Sequence, residues 1–235
     1  MPTASMQRLA GWAAVFSATI GLAAFCLLVA ALVAPTPSPA TLRRYDELFR
    51  WQDAGVLLQA LAMIPVTLGL HAAMRPQTLP WRNGAALIGL AAQASLVLVV
   101  LLRFAGVTSD MLYMLPQGFV GLWLLVVNWR RTPPLSRGMA RTGVFAGLGL
   151  LVAGIGFLIY GALVAPRVFL GPLTNAEIDA QSWTIPNVVA HLCLAVGLLG
   201  RAGYPVWTLL LGRDLLRRDV AGDPQRGTAA VVETA

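Results

Sequence analysis

Long apolar runs dominate the chain, and short polar segments separate them. A helix needs roughly 20 apolar residues to cross the hydrocarbon core of a bilayer. Runs of this length cover about residues 9–34, 55–73, 84–104, 111–129, 142–165 and 187–211. Proline-rich segments break the pattern between several of them. The pattern therefore predicts an all-α, polytopic transmembrane helical bundle with six spans.

Two of the connecting segments are long enough to carry structure of their own. Residues 41–51 place apolar side chains at helical spacing opposite charged ones, which is typical of a short helix in the membrane interface. In the last outer loop, Thr174 and Glu177 match the capping box of a second interfacial helix. We expect one transmembrane domain over residues 1–220 and a polar, disordered tail over 221–235.

Composition narrows the functional class. Hydrophobic residues make up 57% of the chain and charged residues 11%, whereas soluble domains carry about 25% charged residues. All 17 basic residues are arginines. A nucleic-acid-binding protein would need a basic face on a soluble domain, and the polar segments are too short to form one. Membrane lipids are the expected surroundings.

The distribution of arginines predicts the orientation. With a cytoplasmic N-terminus, 11 arginines face the cytoplasm and five face the other side. The positive-inside rule favours this arrangement, with both termini in the cytoplasm. The first run is too long for a signal peptide, and Pro35 makes cleavage after Ala34 unfavourable. We therefore interpret it as a retained first span.

The residue types that usually carry chemistry are sparse. Cys26 and Cys193 lie inside apolar runs, and neither belongs to a CxxC pair. His71 is expected at the cytoplasmic end of the second span and His191 near the outer end of the sixth, so they lie toward opposite sides of the membrane. No spacing matches a metal, haem, nucleotide or catalytic motif, so we predict no cofactor and no catalytic residue. The apolar runs contain no Asp or Glu except at their ends, which disfavours ion-coupled transport.

Arg201 is the most informative residue. If the sixth helix begins near Asn187, Arg201 lies about 20 Å along it, where insertion of an arginine costs about 2.5–3.5 kcal/mol. Its guanidinium would bind an anionic or carbonyl-bearing ligand. Alternatively, backbone carbonyls and side chains such as Gln93 satisfy it within the bundle. In a third interpretation the span ends at Ala202, and the chain turns at Pro205 into an interfacial helix.

Three further polar side chains lie within the spans. Gln59 and Gln93 are amides, which join transmembrane helices by hydrogen bonds, and His191 would make a similar contact. If their helix faces converge, these three residues and Arg201 line one polar cavity. These four residues are the predicted ligand-binding set.

Two further contacts are predicted from spacing. Arg103 and Asp110 bracket a short outer loop, and an ion pair between them would close it. Gly143 and Gly147 form a GxxxG pair in the glycine-rich fifth span. Such a face allows close helix contact, either within the bundle or between two copies in a homo-oligomer.

The second half of the chain carries a resemblance. The segment from Gly118 to Arg130 runs into a Pro/Arg loop, Leu135 to Arg141 opens the fifth span, and the sixth ends with Tyr204 to Arg213. Over roughly residues 115–220 this resembles a group of small, uncharacterised bacterial integral membrane proteins of about six spans. The resemblance implies a helical bundle in the bacterial inner membrane and implies no activity.

Three functional classes remain open at this point. The first is a non-enzymatic structural or regulatory protein that binds a lipid or amphipathic ligand from the outer side. The second is a carrier for a small apolar or anionic solute that contacts Arg201. The third is an intramembrane enzyme acting on a lipid, which would need a nucleophile or an acid/base pair and would gain support from His191 lying beside Arg201 or Glu177 in a closed cleft. The missing catalytic motifs favour the first class.

Overall fold

The structure, a computed structural model, describes residues 4–33, 42–74, 81–107, 110–129, 135–163 and 185–221. Over these residues the chain forms six α-helices, each long and apolar enough to cross a membrane. This confirms the predicted six-span helical bundle, and the chain is an integral membrane protein. The helices are α1 (Ala4–Val33), α2 (Leu42–Ala73), α3 (Trp81–Phe104), α4 (Asp110–Trp129), α5 (Arg137–Leu163) and α6 (Ile185–Ala221).

The six helices form a closed ring. Each helix packs against the one before it and the one after it, and α6 packs against α1. Because successive spans run in opposite directions, α1 begins and α6 finishes at the same end of the ring, which we call the termini end. The opposite end, where α1 finishes and α6 begins, is the far end. Helices α2, α4 and α6 therefore face one another across the ring without adjacent backbones.

Helix boundaries depart from the apolar runs. Residues 42–51 are helical as predicted, but they form the first turns of α2 and not a separate interfacial helix. Helix α6 passes through Pro205 and continues to Ala221, so the interpretation with a turn at Pro205 is wrong. Hydropathy marks the part of a helix that lies in hydrocarbon, whereas a helix can extend into the headgroup region. The predicted helix after Thr174 and the tail beyond Ala221 lie outside the described residues.

Glycines set the distance between the later helices. A methyl group added at Gly149 of α5 would lie 2.6 Å from the Cα of Gly200 in α6. Between α4 and α5, Gly118 faces Gly154 at a similarly close approach. Since lipid provides no hydrophobic driving force between helices, close packing of this kind is one of the interactions that hold transmembrane helices together.

The GxxxG face of α5 is used inside the chain. A methyl group added at Gly147 would lie 2.8 Å from the backbone oxygen of Gly121 in α4, and Gly143 packs against the side-chain amide of Asn128. This face was expected to pack either within the bundle or against a second copy of the chain. In the structure it packs within the bundle, against α4.

A layer of aromatic side chains fills the ring on its termini side. The rings of Trp123 and Trp207 meet edge to face, with centroids 5.6 Å apart and an interplanar angle of 88°. Trp207 Nε1 donates to Asn128 Oδ1 at 3.0 Å, and Asn128 Nδ2 donates to the carbonyl of Leu124 at 2.8 Å. All of these side chains are buried. This tryptophan layer of Trp123, Asn128 and Trp207 links α4 with α6 and closes the centre of the bundle.

We predict that Gly200→Ala destabilises the bundle by about 1–3 kcal/mol, because overpacking of a well-packed contact costs this much. The new methyl group would lie 2.6 Å from the backbone nitrogen of Leu150, which cannot move without α5. Gly84→Ala is the matched control, since its methyl group meets nothing within 4 Å. Unfolding in a detergent of increasing denaturing strength measures both variants. Equal stabilities would contradict glycine-limited packing between α5 and α6.

Candidate functional site

A cluster of polar side chains occupies the interior of the ring on its far side. Helices α2, α3, α4 and α6 each contribute to it, and Gln117 lies seven residues into α4, about 10 Å from the far end of that helix. We call this group the polar cluster. Its members are Gln52, Asp53, Arg103, Tyr113, Gln117 and Arg201.

Arg201 reaches across the ring from α6 to α4. Its Nε donates to Gln117 Oε1 at 2.7 Å, and its guanidinium carbon lies 5.3 Å from the centroid of the Tyr113 ring. Its Nη2 is buried and has no hydrogen-bond partner among the residues that the structure describes. Over the same part of the chain, no carboxylate pairs with it. Within the described part of the chain, the direct contacts of this positive charge are thus an amide and an aromatic ring.

Arg103, the other arginine of the cluster, is charge-balanced. Its Nε lies 2.6 Å from Asp53 Oδ2, and the exposed fractions of the two side chains are 20% and 4%. The predicted partner was Asp110, whose side chain lies outside the described residues. The structure instead gives Arg103 a partner on α2, because the early start of α2 brings Asp53 level with the end of α3.

Tyr113 joins both arginines to the rest of the cluster. The guanidinium carbon of Arg103 lies 5.4 Å from its ring centroid, close to the corresponding distance for Arg201. Both fall within the range of a cation–π contact. The Tyr113 hydroxyl accepts a hydrogen bond from Gln52 Nε2 at 3.1 Å. One buried tyrosine thus fixes the positions of two cations and links α2 to α4.

A second polar link lies between the cluster and the tryptophan layer. Gln93 Nε2, on α3, donates to the Tyr204 hydroxyl at 3.2 Å. The Tyr204 ring stacks on Trp207, with centroids 6.5 Å apart and an interplanar angle of 18°. Gln93 was expected to form a hydrogen bond with Arg201, and this is wrong. Gln93 instead bonds to Tyr204, which lies about one turn after Arg201 in α6.

Two cavities border the polar cluster. The larger, about 150 Å³, lies toward the far end and is mainly apolar, and we call it the outer cavity. The smaller, about 40 Å³, lies deeper, and we call it the inner cavity. Gln52, Gln117 and Arg201 line both. The other residues of the outer cavity are Leu28, Leu32, Phe49, Arg103, Tyr113, Met114, Ala153, Leu194, Gly197 and Leu198. Those of the inner cavity are Gly21, Ala24, Phe25, Val56, Gln59, Leu96, Val120, Leu150 and Tyr204.

The four residues predicted to bind a ligand do not all meet. Arg201 borders both cavities and Gln59 lines the inner one. Gln93 contributes through Tyr204, which also lines the inner cavity. His191 is exposed on α6, lines neither cavity and lies about 15 Å from Arg201 along the helix. Ligand binding at these positions stays a prediction.

Sequence reasoning missed several members of the cluster. Tyr113 and Gln117 are four residues apart, and Gln52 and Gln59 are seven apart. Both spacings place side chains on one face of a helix. Polar residues that recur on one face of a helix were the feature of the sequence that could have indicated this cluster. It was weak because Gln52 and Tyr113 lie near helix ends, where polar residues are ordinary.

The cluster supplies hydrogen-bond donors and charge, and the carboxylate of Asp53 is engaged by Arg103. Among the residues that the structure describes, no group of three or more His, Cys, Asp or Glu side chains is placed to hold a metal ion. Neither cavity is lined by an Asp or a Glu. The arrangement is therefore suited to holding a hydrogen-bond acceptor, and above all an anion.

We predict that Asp53→Asn destabilises the protein by about 1–3 kcal/mol. Removing one partner of a buried ion pair costs about 3–5 kcal/mol, and the partial exposure of Arg103 reduces this cost. The double variant Asp53→Asn/Arg103→Gln should recover part of the loss, since it leaves no unpaired charge. Thermal unfolding of the wild type, both single variants and the double variant measures the coupling. Strictly additive losses would contradict a coupled pair.

The chain was compared with known proteins at three levels, by family, by sequence and by structure. No protein-family model, no curated protein and no solved structure matches it. The polar cluster and its two cavities are therefore the basis for an inference about function.

Proposed function

We propose that this integral membrane protein is a non-enzymatic binding protein for an amphipathic anion, which enters from the far end and contacts Arg201. The observation that carries the proposal is the guanidinium of Arg201. It has a buried Nη2 without a partner and no carboxylate beside it in the described part of the chain, and it borders an apolar cavity. A ligand with an anionic head and an apolar tail matches both features.

Electrostatics favour an anion at this position. Taking an ion out of water costs several kcal/mol in real proteins, and only close partners and an opposite charge repay it. The contacts with Gln117 and Tyr113 offset part of this desolvation cost for Arg201. An anionic ligand would supply the missing charge and accept a charge-assisted hydrogen bond from Nη2, which is about twice as strong as a neutral one.

The shape of the bundle supports binding from one side. The outer cavity is lined by residues near the far ends of the helices, such as Leu32, Phe49 and Met114. Toward the termini end, the centre of the ring is occupied by the buried rings of Trp123 and Trp207. We propose that the chain lies in a bacterial inner membrane with both termini in the cytoplasm. The far end would then face the periplasm.

A carrier is the second candidate, and the meeting of the two cavities at Arg201 favours it. An anion could move from the outer to the inner cavity past Gln52 and Gln117. Passage to the other side would require the tryptophan layer to open. An intramembrane enzyme has less support, since His191 lines neither cavity and Glu177 lies outside the described residues.

Native mass spectrometry of the detergent-purified protein tests the proposed binding. We predict that wild-type protein carries a discrete co-purifying anion, and that Arg201→Met weakens the affinity for it at least about tenfold and so lowers the bound fraction, because a hydrogen-bonded charge is lost. Arg213→Met is the control, since it removes an exposed arginine from the same helix. A co-purifying mass that persists in Arg201→Met would contradict the proposal. Uptake of the identified anion into proteoliposomes would instead favour a carrier.

Reporter fusions test the orientation. We predict that alkaline phosphatase fused after residue 235 is inactive and that a fluorescent protein at the same position is bright, because both report a cytoplasmic C-terminus. A fusion after residue 107, between α3 and α4, should give the opposite result. The reverse pattern at both sites would place the far end in the cytoplasm and overturn the proposed direction of binding.

A further inference from the structure

The inner cavity has a chemistry of its own, set by hydrogen-bond donors. Gln59 and Gln117 line it, their side chains are 7% and 6% exposed, and neither amide nitrogen has a hydrogen-bond partner among the described residues. Arg201 Nη2 is in the same condition. Three nitrogens without acceptors thus belong to residues that line one small cavity.

The direction of the Gln117 amide is fixed by its hydrogen bond to Arg201. Gln117 Oε1 accepts from Arg201 Nε, so the amide nitrogen of Gln117 is the atom left over. Tyr204 also lines the cavity, and its hydroxyl accepts from Gln93 Nε2. The hydroxyl proton of Tyr204 is therefore available to an acceptor. No Asp or Glu lines this cavity, and its one charged side chain, Arg201, is a donor, as are the unpartnered amide nitrogens of Gln59 and Gln117.

Volume and charge limit the anion. A cavity needs about 10–15 Å³ to hold one water molecule, so the inner cavity of about 40 Å³ has room for about three non-hydrogen atoms. Arg201 supplies a single positive charge, because Asp53 already pairs with Arg103. A carboxylate has three heavy atoms and one negative charge, whereas a phosphate monoester is larger and carries nearly two charges.

The outer cavity limits the rest of the ligand. Its volume of about 150 Å³ is equal to that of an engineered apolar cavity that holds one benzene molecule. Leu28, Leu194 and Leu198 are among its apolar walls. Because Gln52, Gln117 and Arg201 line both cavities, one molecule can occupy both, with its head on the inner side of Arg201 and its apolar part on the outer side.

We infer that the ligand is a monocarboxylate with an apolar part of about six to eight carbon atoms, whose carboxylate lies in the inner cavity against Arg201, Gln117 and Gln59. This inference rests on the proposed function, which requires only an amphipathic anion. The inference specifies the head group of the ligand, its position in the inner cavity beside Arg201, and the size of the apolar part.

Binding measurements on the full chain in a neutral detergent test the inference, with octanoate, octyl phosphate, octanol and octylamine as probes. Octanoate should bind at least about tenfold more tightly than each of the others, because only it matches the donors in size and in charge. Tight binding of octyl phosphate equal to that of octanoate would overturn the carboxylate assignment and leave the proposed function intact. The absence of Arg201-dependent binding of either anion would overturn both.

Gln59→Leu tests the position of the carboxylate. Gln59 has no recorded hydrogen bond through its buried amide nitrogen, so an apolar side chain of similar volume should leave the melting temperature unchanged or raise it. The same variant should weaken octanoate binding about tenfold, because a donor to a charged group is lost. A stable Gln59→Leu protein that binds octanoate as the wild type does would place the carboxylate elsewhere and overturn the inference. Arg213→Met again serves as the control that should change neither property.

A series of carboxylates with increasing chain length tests the outer cavity. Affinity should rise with each added methylene until the apolar part reaches about six to eight carbons, and then level off as the cavity fills. Ala153→Leu should shift the plateau to shorter chains, since Ala153 lines the outer cavity. An affinity that keeps rising through tetradecanoate, unaffected by Ala153→Leu, would show that the chain lies outside this cavity.

Discussion

Arg201 cannot be solvated by lipid, and the far half of the bundle is arranged around this constraint. Helices α2, α4 and α6 are not neighbours in the ring, so their backbones do not hold one another in place. Long side chains do so instead, from Gln52 to Tyr113 and from Arg201 to Gln117. The two cavities lie where these bridges leave the wide centre of the ring unfilled. The polar cluster therefore braces the far half of the bundle and also forms part of the walls of both cavities.

Helix α5 connects this brace to the packing of the ring. It lies between α4 and α6, and its small residues allow both to approach closely, through Gly154 on one side and Gly149 on the other. The distance that the Arg201 side chain must cross to reach Gln117 depends on how closely α4 and α6 approach α5. A hydrogen bond of 2.7 Å across the ring thus depends on glycines that touch neither cavity.

The length and composition of the apolar runs were sufficient to predict the fold class, because any such run must form a helix in lipid. They were not sufficient to locate helix ends, as α2 demonstrates by starting 13 residues before residue 55. For the site, the cost of burying a charge singled out Arg201. Its partner Gln117 was missed, and Gln93 was assigned to it, because partners depend on which helices face each other across the ring. A single sequence without contacts between helices does not contain that information.

Closure of the ring by contact between α6 and α1 has a consequence for the assembly of the protein in the cell. Spans emerge from the ribosome in order, so α2 and α4 have Gln52, Tyr113 and Gln117 in the membrane before Arg201 is synthesised. The arginine, a residue that is costly to insert near the middle of a span, then arrives when its acceptor is already present. A chain that has been made only as far as α5 lacks the charge of Arg201 and therefore the complete polar cluster. The order of synthesis therefore allows Arg201 to find its hydrogen-bond acceptor as it enters the membrane. The contact between α6 and α1 then completes the ring.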